Sequence, residues 1–143
     1  SLEIATYLAS NQITGVEFPG GSIDPDSLES DWSLSQSAFE GLFWETTFMG
    51  VAALDIRRGI TALDRSAAAW EQIAIEHGRR VVVLCDSSKV GRFSYAAVGP
   101  VSLVDVLITD PGLPDEIASE MESCGVRVVL AGPKGSADRN TEE

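Results

Sequence analysis

Residues 80–89 read Arg80-Val81-Val82-Val83-Leu84-Cys85-Asp86-Ser87-Ser88-Lys89. A continuous apolar run of this kind, rich in β-branched residues, is the pattern of a strand buried on both faces of a parallel sheet. It runs straight into a polar turn. In an open α/β sheet ligands bind beyond the carboxyl ends of the strands, which is where this turn would lie. A cation, two hydroxyls and a carboxylate delivered there suit a phosphate or a polyol. The same residues also suit a plain strand-end turn, in which Asp and Ser bond their own backbone.

The surrounding chain carries further elements of a layered fold, without an internal repeat. Val104–Thr109 is a second apolar run, ending at Asp110-Pro111-Gly112. Pro114 then opens a helix with Ile117, Ala118, Met121 and Cys124 inward, Gly125 closes it, and Val126–Ala131 is the last strand. Asp64 caps a helix running to about His77, with Trp70, Ile73, Ala74 and His77 on one face. Upstream, the spacing predicts a helix over 2–10, a short strand over 13–18, a loop over 22–35, a helix over 36–43 and a strand over 46–51, with Arg57-Arg58-Gly59 as a turn. Strands alternating with helices argue for a layered α/β fold with a mostly parallel sheet. Residues 132–143 read as a disordered polar tail.

At 143 residues and 44% hydrophobic content, the chain has the size of one domain that can bury a core without disulfides or metal. The formal net charge is -12. No Lys or Arg precedes Arg57, while Glu3, Glu17, Asp24, Asp26, Glu29, Asp31, Glu40 and Glu45 do. Such a surface does not hold nucleic acid, whose binding requires cations on the phosphates. Cys85 and Cys124 sit apart on apolar segments, as buried thiols do in a reducing compartment. No apolar run reaches the ~18 residues of a spanning helix, and the expected compartment is the cytoplasm. Metal-ligand spacing is absent, and there is neither a phosphate-binding GxxxxGK[ST] nor a dinucleotide fingerprint. His77, the one histidine, stands at a helix end, where a structural role is expected. Trp32, Trp44 and Trp70 are expected in the core or an interface. Gly20-Gly21-Ser22, Gly50 and Gly59-Ile60-Thr61 are places where backbone can approach a ligand closely.

Taken together these segments resemble the C-terminal effector-sensing domain of the DeoR family of bacterial transcriptional regulators. Val83-Leu84-Cys85-Asp86-Ser87-Ser88-Lys89-Val90-Gly91-Arg92 is similar to that family's strand followed by D-S-S-K-F-G. Val104–Pro114 is similar to its I-D-x-L-I-T-D-x-G-L, Phe48-Met49-Gly50 to its F-I-G, Gly59-Ile60-Thr61 to its G-L-T, and Gly20-Gly21 to its early glycine pair. The likeness covers about residues 2–131, with Ser1-Leu2 falling at the family's T-N-S-L segment. It implies a Rossmann-like domain, related in fold to ribose-5-phosphate isomerase and lacking here the family's first strand and loop. It also implies a sensor of phosphorylated sugars or related metabolites, controlling a helix-turn-helix expected upstream. The ligand-facing positions it implies are Lys89, Asp86, Ser88, Gly20, Gly21, Gly50, Gly59 and Thr61, with no catalytic residue, metal or cofactor.

Three departures bear on the ligand. Thr46 stands where the family places a lysine, Glu71-Gln72 where it often places Lys-Arg, and Ala67 at a common Glu. Fewer cations suit a smaller or less anionic effector. An isomerase on the same fold is the rival reading, but aldose–ketose isomerisation needs a carboxylate base. The related enzymes' Asp-Gly-Ala-Asp turn corresponds here to Gly50-Val51-Ala52-Ala53, with Asp55 out of register. An oligomerisation module is a third reading, compatible with sensing, since symmetric dimers are the commonest assemblies.

Overall fold

A computed structural model describes residues 1–31 and 39–132. Chain packing separates two compact units, Ser1–Leu42 and Phe43–Glu143. The expected tail (from residue 133 onward), Trp32 and the first part of the expected 36–43 helix lie outside the described residues.

The second unit is built on a parallel sheet in the order β3-β6-β8-β9: β3 (Thr47–Gly50), β6 (Val81–Leu84), β8 (Val106–Thr109) and β9 (Arg127–Leu130). The valine run forms β6, an inner strand with Val81, Val82 and Val83 all buried, as its sequence requires. Register pairs Gly50 with Leu84 and Leu84 with Ile108, so the strands end together. The main core lies on one face of this sheet, where Met49, Val81, Val83, Leu107 and Val128 pack with Ile75 and Met121. The alternate residues Phe48 and Leu84 stay 67% and 45% exposed.

Helix α2 (Arg65–His77) links β3 to β6, and α3 (Asp115–Ser123) links β8 to β9. The Asp64 carboxylate caps α2 by accepting from the Ala67 amide at 2.8 Å. Gly125, at φ +90, follows the Cys124 cap of α3 as expected. The buried line of α2 differs from the expected one. Ala68 and Ile75 are buried, whereas Trp70, Ile73, Ala74 and His77 form a half-buried flank. That flank is structured: Trp44 and Phe43 stack on His77 at 5.3 and 5.8 Å. Trp44 Nε1 donates to Thr47 Oγ1 at 2.6 Å, and that hydroxyl donates to the Ala74 carbonyl at 2.8 Å.

A three-stranded antiparallel sheet, absent from the sequence reading, inserts between these elements. It orders as β4 (Ala53–Asp55), β5 (Gly59–Ala62) and β7 (Ala96–Gly99). The Arg57-Arg58-Gly59 turn closes its hairpin: Asp55 Oδ1 accepts from the amides of Arg57 at 3.0 Å and Arg58 at 2.7 Å. Gly59 leaves the turn at φ +74, the left-handed position of a three-residue hairpin loop. Here glycine is obligatory, because a Cβ would stand 2.0 Å from the Gly99 carbonyl oxygen.

In the first unit, α1 (Leu2–Ser10) forms as expected but buries no residue fully. The expected strand at 13–18 is absent. Gly15 turns at φ +75, Ile13 is 54% exposed, and a strand needs a partner to satisfy its backbone. The expected loop instead contains a short hairpin, β1 (Ser22–Ile23) with β2 (Ser30–Asp31). Asp24 shapes it by accepting from the amides of Asp26 and Ser27. Residues 40–41 form a turn, with Gly41 at φ +76, and 42–43 have no regular structure, so this part of the expected helix does not form.

Candidate functional site

The Asp86-Ser87-Ser88-Lys89 turn sits at the carboxyl end of β6, as the strand's direction demands. Ser87–Lys89 winds into one 3₁₀ turn capped by Asp86, whose Oδ1 accepts from the Ser88 amide at 3.2 Å and from the Ser88 hydroxyl. The other carboxylate oxygen lies 3.4 Å from Lys89 Nζ, with both side chains about half exposed (48% and 49%). The Ser88 hydroxyl, and after it the lysine, hold the Asp86 carboxyl below the usual carboxylate range. The ammonium carries three donors, and this contact engages one of them.

Asp110 occupies the same place at the end of β8. Its Oδ2 accepts from the Ser87 amide at 2.6 Å, and its Oδ1 from the Ser87 hydroxyl at 2.9 Å and the Gly112 amide at 2.8 Å. The Ser87 and Gly112 donors lower its pKa. Asp110 is not among the site residues expected from sequence, and Ser87 enters there only as one of the turn's two hydroxyls, not among the ligand-facing positions. The available signal was that two successive apolar strands each run into an Asp, and the β6–β8 register sets those two Asp side by side. Beneath this group, Thr109 is 4% exposed and its hydroxyl has no hydrogen-bond partner. Cys85 is 5% exposed, and burial, with Asp86 adding to it, pushes its thiol up to about 11. Such a thiol stays protonated and unreactive.

The other expected positions distribute as follows. Gly50 ends β3 beside Leu84 and so joins the strand-end group. Gly59 and Thr61 lie in β5 of the antiparallel sheet. Gly59 is accounted for by its contact with Gly99. Thr61 is 4% exposed, its hydroxyl 3.4 Å from the Ala53 carbonyl and accepting from the Ser94 amide at 2.8 Å. Gly20 and Gly21, at φ +83 and +99, form a left-handed pair ahead of β1 in the first unit. The segment that follows Lys89 is tied to the antiparallel sheet as well: Gly91 donates its amide to the Leu54 carbonyl at 2.8 Å.

The departures noted above lie elsewhere. Thr46 lines a hollow of about 400 Å³ with Glu45, Arg79, Arg80 and Asp105, at the amino end of the sheet. Gln72 donates to the Val98 carbonyl at 2.9 Å, and its helix borders a second hollow of about 460 Å³ that includes Arg65 and Tyr95. Neither hollow contains Lys89. Among the described residues no cluster of His, Cys, Asp or Glu is arranged to hold a metal, and no helix is long and apolar enough to cross a membrane.

A family model described as the DeoR C terminal sensor domain matches residues 1–111. The chain belongs to the DeoR family. This DeoR-type domain is 30% identical over 114 residues to the HTH-type transcriptional regulator GlpR of Haloferax volcanii, covering 80% of the chain and 45% of that protein. It is 27% identical over 130 residues to the HTH-type transcriptional regulator UlaR of Escherichia coli O1:K1, covering 90% and 50%. It is 25% identical over 128 residues to the uncharacterized HTH-type transcriptional regulator YulB of Bacillus subtilis, covering 90% and 50%. The chain thus spans about half the length of these curated relatives.

Proposed function

We propose that this DeoR-type domain binds a phosphorylated sugar or a closely related metabolite at the carboxyl ends of β3, β6 and β8, and that binding regulates DNA attachment by a helix-turn-helix elsewhere in the same polypeptide. The carrying observation is the half-exposed Lys89 ammonium, held beside Asp86 and Ser88 at that edge. An ammonium with free donors binds phosphate as a point charge, while neighbouring carboxylate and hydroxyl groups suit a sugar's hydroxyls. The missing family cations do not weaken this reading, since Thr46 is at the opposite end of the sheet and Gln72 is bonded to β7. The action is sensing rather than catalysis. Val51 and Ala53, in the turn where the related isomerases carry their acids, are buried and apolar, so that turn offers no base. Regulation would proceed in the cytoplasm, in a homo-oligomer whose arrangements the ligand redistributes.

The test is a thermal-shift panel of sugar phosphates and their unphosphorylated sugars. A bound ligand raises the melting midpoint by mass action on the folded state. Lys89→Ala should abolish that rise and leave the unliganded midpoint nearly unchanged, because the exposed ion pair contributes little to stability. A rise that survives the substitution would refute the site. Turnover of ribose 5-phosphate by pure protein would refute the sensor.

A further inference from the structure

The turn that carries Lys89 is mostly surface. Asp86, Ser88 and Lys89 are all exposed, and only Ser87 is partly buried. A four-residue surface turn would wander if nothing held it, and its one inward residue is where it is held. Asp110 grips Ser87 twice, at the amide and at the hydroxyl, and grips its own loop through the Gly112 amide. Three donors from two loops occupy the carboxylate, so this carboxylate is turned to the protein and not to a ligand. The fit leaves no slack: a Cβ on Gly112 would stand 2.7 Å from both Asp110 Oδ1 and Ser87 Oγ. Ser87 in turn starts the 3₁₀ turn, its carbonyl accepting from the Val90 amide at 3.2 Å while the Asp86 carbonyl accepts from Lys89 at 3.0 Å.

From this geometry we infer that Asp110 is a positioning residue, whose carboxylate locks Ser87 across from β8 to β6 and thereby sets where the Lys89 ammonium stands. The effect on ligand rests on the reading of Lys89 given above, whereas the lock itself does not. A phosphate held by one ammonium is sensitive to where that ammonium sits, because the charge-assisted bond weakens quickly with distance and angle. Asp110→Asn has a single acceptor oxygen left, so whichever way its amide turns, an NH2 group faces either the Ser87 or the Gly112 amide and at least one backbone bond of the lock is lost. Ser87→Ala keeps the backbone bond and loses only the hydroxyl. Gly112→Ala presses a Cβ onto the Asp110 Oδ1 and Ser87 Oγ atoms and displaces them with the carboxylate intact.

The experiment uses the whole 143-residue chain. Amide hydrogen exchange is followed over residues 86–91, and affinity for inorganic phosphate and for ribose 5-phosphate is measured by calorimetry. Asp110→Asn should speed exchange across the turn by about tenfold and weaken probe binding by about as much, with Ser87→Ala and Gly112→Ala intermediate. Unchanged exchange over 86–91 in all three variants overturns the lock. Faster exchange with unchanged affinity overturns the positioning role. If the unsubstituted chain binds neither probe, the ligand reading of Lys89 fails, and exchange alone still decides whether Asp110 holds the turn. Should Asp110→Asn fail to fold, the two milder variants carry the same comparison.

Discussion

Replacing Glu71 with methionine should stabilise the protein at alkaline pH and remove a pH dependence that the native chain carries. Glu71 is on α2, half-buried, and its Oε2 has no hydrogen-bond partner. Burial raises its carboxyl from 4.5 to about 7. Below the lower value both folded and unfolded chains hold the proton, and the ionisation of Glu71 contributes nothing to stability. Between the two values the folded chain keeps a proton that the unfolded chain has released, so stability falls as pH rises. Above the folded value the loss is complete. At about 1.36 kcal/mol per pH unit the gap caps the loss near ~3.4 kcal/mol. Water still reaches part of the side chain, so about 2 kcal/mol is the working figure. Methionine keeps the unbranched shape and helix preference without the ionisable group. Urea titrations followed by tryptophan fluorescence, near pH 5 and near pH 8, give the stability difference between variant and native chain at each pH. That difference should favour the variant by about 2 kcal/mol more at the higher pH. An equal difference at the two pH values would refute the assignment of a partly buried carboxyl with an unbonded Oε2 to this position.

Two further outcomes test the framework around the site. Gly59→Ala should lower the melting midpoint by more than about 10 °C, since it combines a left-handed backbone with a Cβ driven into the Gly99 carbonyl; a smaller drop in a thermal melt would mean the β4–β5 hairpin adapts. Cys85, with its thiol pushed to about 11 from 9.0, should alkylate roughly 100-fold more slowly near pH 8 than an ordinary thiol, measured by mass spectrometry of the folded chain; rapid labelling would show the strand end to be open.

The parallel sheet was legible because Val81–Leu84 and Val106–Thr109 are dense in β-branched residues and bounded by Asp turns, so local chemistry and burial agree. The antiparallel sheet was not. Ala53-Leu54-Asp55, Gly59–Ala62 and Ala96–Gly99 are rich in alanine and glycine, which have little strand preference of their own. Their order comes from enclosure, with Leu54, Ile60 and Ala62 at 0% exposure. The α2 face was misjudged for a related reason. A helix packed against β5 and β7 as well as β3 turns small residues such as Ala68 inward, and its larger ones rest on the flank. Asp86, Ser88 and Lys89 could be found because they are neighbours in sequence. The partner of Ser87 is 23 residues away, beyond the reach of any local spacing rule.

One small contact has mechanical weight. The Gly91 amide reaches back to the Leu54 carbonyl, and Leu54 is fully enclosed in the antiparallel sheet. The segment bearing Lys89 is therefore moored at both ends, to β8 through Ser87 and to β4 through Gly91. A tug on its ammonium of even about an ångström must be absorbed by two close-packed layers together, because such interiors transmit strain and do not dissipate it. A short bridge of five residues thus works as a lever shared by two sheets, and the load placed on it reaches both.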